Sequence, residues 1–169
     1  MMQPKDLNAE AISRGALPGR GYTIARWISQ ILHPVPLGIV SIFIVGVFGN
    51  DNRASGLWWS LLCIFLHVVP SVIFFNIRLH QGAYSDDDIS VRTQRNELYL
   101  FGMANVLIGT AILWALQAPL PLIAMLVSVA VMNLLSYIVN LFWKISIHSA
   151  SIGSCATLAS IYLPTLGGI

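Results

Sequence analysis

The sequence predicts an all-α, polytopic transmembrane helix bundle, and three observations carry that prediction. Of 169 residues, 56% are hydrophobic and only 9% are charged, against about 25% charged residues in soluble domains. Mean hydropathy is +0.75. The third observation is positional: Trp27 to Asn50, Ala54 to Ile77, Leu98 to Trp143 and Ile145 to Ile169 contain no Asp, Glu, Lys or Arg. A span needs about 20 apolar residues, so three of these intervals hold one each and the long one holds two. Five spans are expected in a helical domain over 24–169, after a polar lead-in over 1–23.

The first span is placed at about Ile24 to Phe48. It is approached through His33, Pro34 and Pro36, and prolines so placed kink a helix or split off a short interfacial segment. The second, about Leu57 to Leu79, opens on the interfacial pair Trp58 and Trp59 and is interrupted at Pro70. The third covers about Leu98 to Leu116. After the turn QAPLP comes a fourth at about Leu120 to Trp143, and the fifth runs from Lys144 to about Tyr162. There is neither an internal repeat nor a low-complexity segment, so one compact domain is the simplest reading.

The net charge of +2 is too small to indicate nucleic acid. Basic residues instead collect near span ends, where they act as topology signals. Lys5, Arg14, Arg20, Arg26, Arg78, Arg92, Arg95 and Lys144 fall on the side of the N-terminus, with only Arg53 opposite. The N-terminus is therefore expected in the cytoplasm. Cys63 and Cys155 both lie in apolar spans and read as buried thiols. The first residues lack the apolar core of a cleaved signal peptide.

The segment RLHQGAYSDDDISVRTQRNELY is the only strongly polar internal stretch. One reading is a solvated connector of mixed charge. Another notes that Arg92 and Arg95, at i and i+3, project from one side of a helical turn as a two-pronged anion site. Asp86, Asp87 and Asp88 invite a third reading, magnesium bridged to a prenyl diphosphate. That chemistry uses a second acidic cluster, and this chain has none.

The fifth span opens on WKISIHSASIG. At helical spacing Lys144, His148, Ser151 and Cys155 line one face, and Ser146 sits in the first turn beside free backbone amides. A lysine, a serine and a histidine at a helix N-terminus suit a phosphate, and His148 can give a proton to a leaving oxygen. The competing reading is packing: Ser149, Ser151, Gly153, Ser154, Ala156 and Ala159 are small enough for close helix contact, including contact with a membrane protein partner. His67 and His33 have weaker claims to function, having no acidic neighbour and lying at a span entrance respectively.

WISQILHPVPLGI, SDDDISVRTQR and WKISIHSASIG together resemble the membrane-bound type-2 phosphatidic acid phosphatase superfamily, in particular its small bacterial branch. The resemblance covers most of the chain through loose motifs. It implies a six-helix fold in a bacterial inner membrane and metal-independent cleavage of lipid phosphates, with no cofactor. In the first family motif Arg95 takes the arginine position, while Asp88 stands at the lysine and Asn96 at the proline. In the second, Ser146 and His148 keep the phosphate-binding serine and the histidine that protonates the leaving group, and Lys144 supplies a cation. The third motif, which carries the attacking histidine, has no counterpart after His148. A sixth helix beyond LPTLGGI is therefore one expectation and loss of catalysis the other.

Two functions follow as expectations. The first is a protein acting on or binding a lipid phosphate or prenyl (di)phosphate, with Arg92, Arg95, Lys144 and Ser146 holding phosphate and His148 as the catalytic acid. The second is a non-catalytic membrane subunit or scaffold derived from such an enzyme. Membrane lipids are the expected partners in both.

Overall fold

The computed structural model describes residues 20–85, 89 and 91–163, and every regular element among them is helical. The chain divides into two units, Met1–His33 and Pro34–Ile169. The first contributes one described helix, α1 (Arg20–Ile31). In the second, α2 (Pro34–Phe43) runs into a single π-helical turn, Ile44–Phe48. Then follow α3 (Arg53–His80), a 3₁₀ turn at Arg92–Gln94, α4 (Arg95–Ala115), α5 (Leu120–Phe142) and α6 (Ile147–Tyr162).

Among the described residues three helices are long and apolar enough to cross a membrane, α3, α4 with its leading turn, and α5, and the broken pair Thr23–Ile31 and Pro34–Phe48 makes a fourth if it is one span. The first expected span is broken, as the prolines predict, into two helices at Leu32 and His33. A residue preceding proline is pushed out of the helical region, and Pro34 and Pro36 are tolerated only because they fall in the first turn of a new helix. The second expected span is not interrupted at Pro70, which lies inside a continuous 28-residue α3. Side chains add hydrogen bonds next to it: Ser71 Oγ and Asn105 Nδ2 both donate to the His67 carbonyl, at 2.8 Å each. α3 also begins earlier than its apolar run, because Asn52 caps it by accepting from the amides of Ala54 and Ser55 at 3.0 and 3.1 Å.

Within the second unit α4 lies along α5, α3 packs on α2 and α4, and α6 packs on α2 and its π turn. Val45, Cys63, Leu113 and Leu122 fill the centre. Leu61, Phe65, Val69, Ile73 and Ile77, four residues apart along α3, are all exposed. An outer face this apolar needs lipid as its solvent.

The α4–α5 pair is antiparallel, with opposed rungs at Asn96 and Asn140, Tyr99 and Tyr137, and Gly102 and Asn133. Residues 81–85, 89 and 91–94 therefore lie at the same end of the bundle as residues 140–146. Gly49 marks the other end, where a Cβ would meet Tyr162 Cε1 at 2.9 Å and Pro121 Cβ at 3.1 Å.

Candidate functional site

The end carrying residues 81–85 and 91–94 is built around arginines. Arg78, in the last turn of α3, forms a two-point ion pair with Glu97 of α4: Nε to Oε1 and Nη2 to Oε2, both 2.9 Å. Its Nη1 donates to Gln81 Oε1 at 2.9 Å, which fixes the start of the loop. Tyr84 then turns inward and stacks on Phe75 with ring centroids 5.7 Å apart. Burial pushes its phenol above the usual range, the Glu97 carboxylate adds to that, and Arg78 opposes it. Further along, Gln94 Oε1 accepts from both the amide and the hydroxyl of Ser85, at 3.1 and 3.2 Å.

Arg95 is the first residue of α4 and only 6% exposed. Its Nε donates to the Ile89 carbonyl at 2.8 Å and its Nη1 to the Ile145 carbonyl at 2.7 Å. One side chain thus joins the polar loop to the segment leading into α6. Ile89 has φ of 45°, a region that β-branched residues rarely occupy, and its carbonyl is one of the two that Arg95 holds. Arg92 makes a parallel link: its Nη1 donates to the Asn140 carbonyl at 2.6 Å, while Asn140 Nδ2 donates to the Arg92 carbonyl at 3.1 Å and to Asn96 Oδ1 at 2.9 Å. Asn140 is completely buried, and its Oδ1 has no hydrogen-bond partner among the described residues. One turn above Arg95, the buried hydroxyl of Tyr99 likewise has none.

The five expected site residues are therefore drawn toward one end, though not in the arrangement the spacing predicted. Arg92 and Arg95 do not form a fork, because a 3₁₀ turn separates them from a common α-helical face and each reaches a different carbonyl. Lys144 does not lie on the helix of His148. Trp143 is extended, with φ −131° and ψ 144°, and α6 begins only after Ser146. The Ser146 hydroxyl caps α6, accepting from the Ser149 amide at 3.3 Å and from the Ser149 hydroxyl at 3.0 Å. Lys144 is exposed, and His148 is half-buried in the first turn of α6. Asp86, Asp87 and Asp88 lie outside the described residues. Among those described, no three His, Cys, Asp or Glu side chains gather as a metal site requires.

Sequence reasoning missed the groups that organise this end. Asn140 was visible as an amide inside an apolar run, where polar side chains face protein rather than lipid. Glu97 was visible as the one carboxylate in the first turn of α4. A second polar patch inside the bundle was also missed: His67 Nδ1 lies 3.0 Å from the Cys63 carbonyl and 3.7 Å from the Cys63 sulfur, with the ring edge over Gly109 of α4. No family model matches this chain, and neither does any curated protein or solved structure.

Proposed function

We propose that this integral membrane protein binds the phosphate of a lipid phosphate or prenyl (di)phosphate at the end formed by residues 81–85, 91–97 and 140–148. The observation that supports it is the pair of hydrogen bonds from Arg95 to the Ile89 and Ile145 carbonyls, which join two basic segments 50 residues apart in sequence. Arg92, Lys144 and the first turn of α6 then share one end of the bundle. A guanidinium has five N–H donors, so a carbonyl that takes one leaves Arg92 with others to offer an anion. Exposed Lys144 adds charge without a fixed geometry. In this reading His148 donates a proton to the leaving oxygen, as the superfamily resemblance implies. The same reading counts α2 and α6 as passes, five in all, with the N-terminus cytoplasmic in a bacterial inner membrane.

A second reading, the non-catalytic subunit or scaffold, is favoured by a specific observation. Arg92, Arg95 and Ser146 all direct hydrogen bonds to the protein's own chain. One experiment separates the two. Purified protein in nanodiscs is challenged with phosphatidate and with phosphatidylcholine, scoring both retention and release of phosphate. Selective retention of phosphatidate that drops roughly tenfold in Arg92→Ala and in Lys144→Ala supports the phosphate site, since a charge-assisted hydrogen bond is worth about 1.5–3 kcal/mol. Equal retention of both lipids by all variants leaves the scaffold. Phosphate release that is unchanged in His148→Ala removes that residue from any chemistry.

A further inference from the structure

Helix α1 differs in kind from the helices after it. Ile24, Trp27, Ile28 and Ile31 are 60%, 66%, 52% and 63% exposed. Their i, i+3, i+4, i+7 spacing gathers them into an arc of about 100° on one side of the helix. Thr23, Arg26, Ser29 and Gln30 are exposed as well and occupy the remaining circumference, with Arg26 and Ser29 opposite the apolar arc. Twelve residues of α-helix measure about 18 Å, well short of the ~30 Å hydrocarbon core. Joined to α2 and its π turn it could form one broken span, but that path would carry the charge of Arg26 into the core, where a charge is costly.

We infer that α1 lies in the plane of the membrane surface, with Ile24, Trp27, Ile28 and Ile31 immersed at the boundary of the acyl chains and Arg26 directed to anionic lipid headgroups. Three observations select lipid as the occupant of this face. Arg20 to His33 contains two arginines and no carboxylate, so its charge complements an anionic surface. Trp27 is the residue type that anchors at the headgroup level. Finally, only Leu32 and His33 separate α1 from the apolar α2. At no more than about 3.6 Å per residue this link keeps the helix within reach of the bilayer that the apolar outer faces of α3, α4 and α5 require. A helix of this kind sits about 5–10 Å into the headgroup and acyl boundary.

The test uses the full chain in vesicles of phosphatidylcholine and phosphatidylglycerol. Single cysteines replace positions 24, 26, 27, 28, 29, 30 and 31 in turn in a Cys155→Ala background, and Cys63, completely buried, serves as the unlabelled control. Spin labels then report access to oxygen from the lipid side and to a nickel chelate from water. The expected result is a helical alternation, with 24, 27, 28 and 31 about 5–10 Å below the phosphates and 26, 29 and 30 accessible to the chelate. Loss of that alternation when phosphatidylglycerol is omitted is expected for an electrostatic contribution. Depth that increases steadily from 24 to 31 overturns the inference and makes α1 half of a span. Labels at 24, 27, 28 and 31 shielded from both reagents overturn it too, since protein then covers the face, and uniform access to the chelate shows a helix in water.

Discussion

At the scale of single residues, Arg95 and its neighbours carry different loads. Arg95 is buried and holds the Ile89 and Ile145 carbonyls, so its removal strands two backbone acceptors and loses two charge-assisted bonds. Arg95→Ala is expected to lower stability in detergent by roughly 3 kcal/mol with no lipid phosphate present. Arg95→Lys restores less than half of that, because one ammonium cannot reproduce a rigid fork. Lys144→Ala, at an exposed position, stays within about 0.5 kcal/mol. Equal stabilities for the three variants in chemical denaturation would refute this division between holding the end together and meeting a ligand. Tyr84 provides a pH signature for the same end. Its folded pKa is raised above the ordinary 10.0 by burial and by Glu97. Between the unfolded and folded values the folded state holds the extra proton, so this stabilising contribution is complete below about pH 10 and fades as pH climbs through the folded value. Tyrosinate absorbance of the wild type minus that of Tyr84→Phe should therefore show a component titrating later than a free tyrosine. A component at the ordinary value would mean that the phenol is solvated.

At the scale of elements, much of the helix pattern was legible and the boundaries were not. The turn at QAPLP and the break at HPVP could be read because proline acts locally, and the broken first segment follows from the restriction that Pro34 places on the backbone of His33. Pro70 lacks a backbone N–H yet α3 stays whole, and beside it Asn105 of another helix donates to the His67 carbonyl, a contact that no local rule contains. The start of α6 was misplaced for a different reason. Helical spacing drew Lys144 onto the face of His148, but Ser146 caps the helix and Arg95 holds the Ile145 carbonyl outside it. The π turn at Ile44–Phe48 was not legible at all, since it answers to the close approach of α2 and α3. There Gly46 faces Gly56 and Ser60 so closely that a Cβ would sit 3.0 Å from the Gly56 carbonyl and 3.3 Å from Ser60 Cβ, nearer still to the Ser60 hydroxyl. That hydroxyl is committed to the Gly56 and Ile42 carbonyls, at 2.8 and 3.3 Å, and cannot move aside freely. Gly46→Ala is expected to cost about 1–3 kcal/mol, measured by thermal unfolding in detergent, and a neutral result would show that the two helices separate easily.

For the molecule as a whole, direction of travel matters more than helix length. α3 runs from the end bearing Gly49 to the end bearing Tyr84, α4 returns, and α5 runs back again, so these three helices carry the polar loop and the Lys144 segment to one side. α6, at 16 residues, extends only about 24 Å and fails a length criterion for crossing, yet it reaches from Ser146 to Tyr162, which contacts the opposite end beside Gly49. Composition could reveal the spans, but not which polar residues meet at an end, because Arg95 and Ile145 find each other only once α4 and α5 pair. The arrangement makes a directional prediction. Cysteines at positions 51 and 117 should react with a membrane-impermeant maleimide from one side of a sealed vesicle, and cysteines at 81 and 144 from the other, with Cys63 shielded and Cys155 replaced. Because Arg78, Arg92, Arg95 and Lys144 gather at the second end while Arg53 stands at the first, the second end is expected on the cytoplasmic side. Labelling of 51 and 144 from the same side would break the alternation that unites the basic segments, and with it the shared end on which the proposed phosphate site depends.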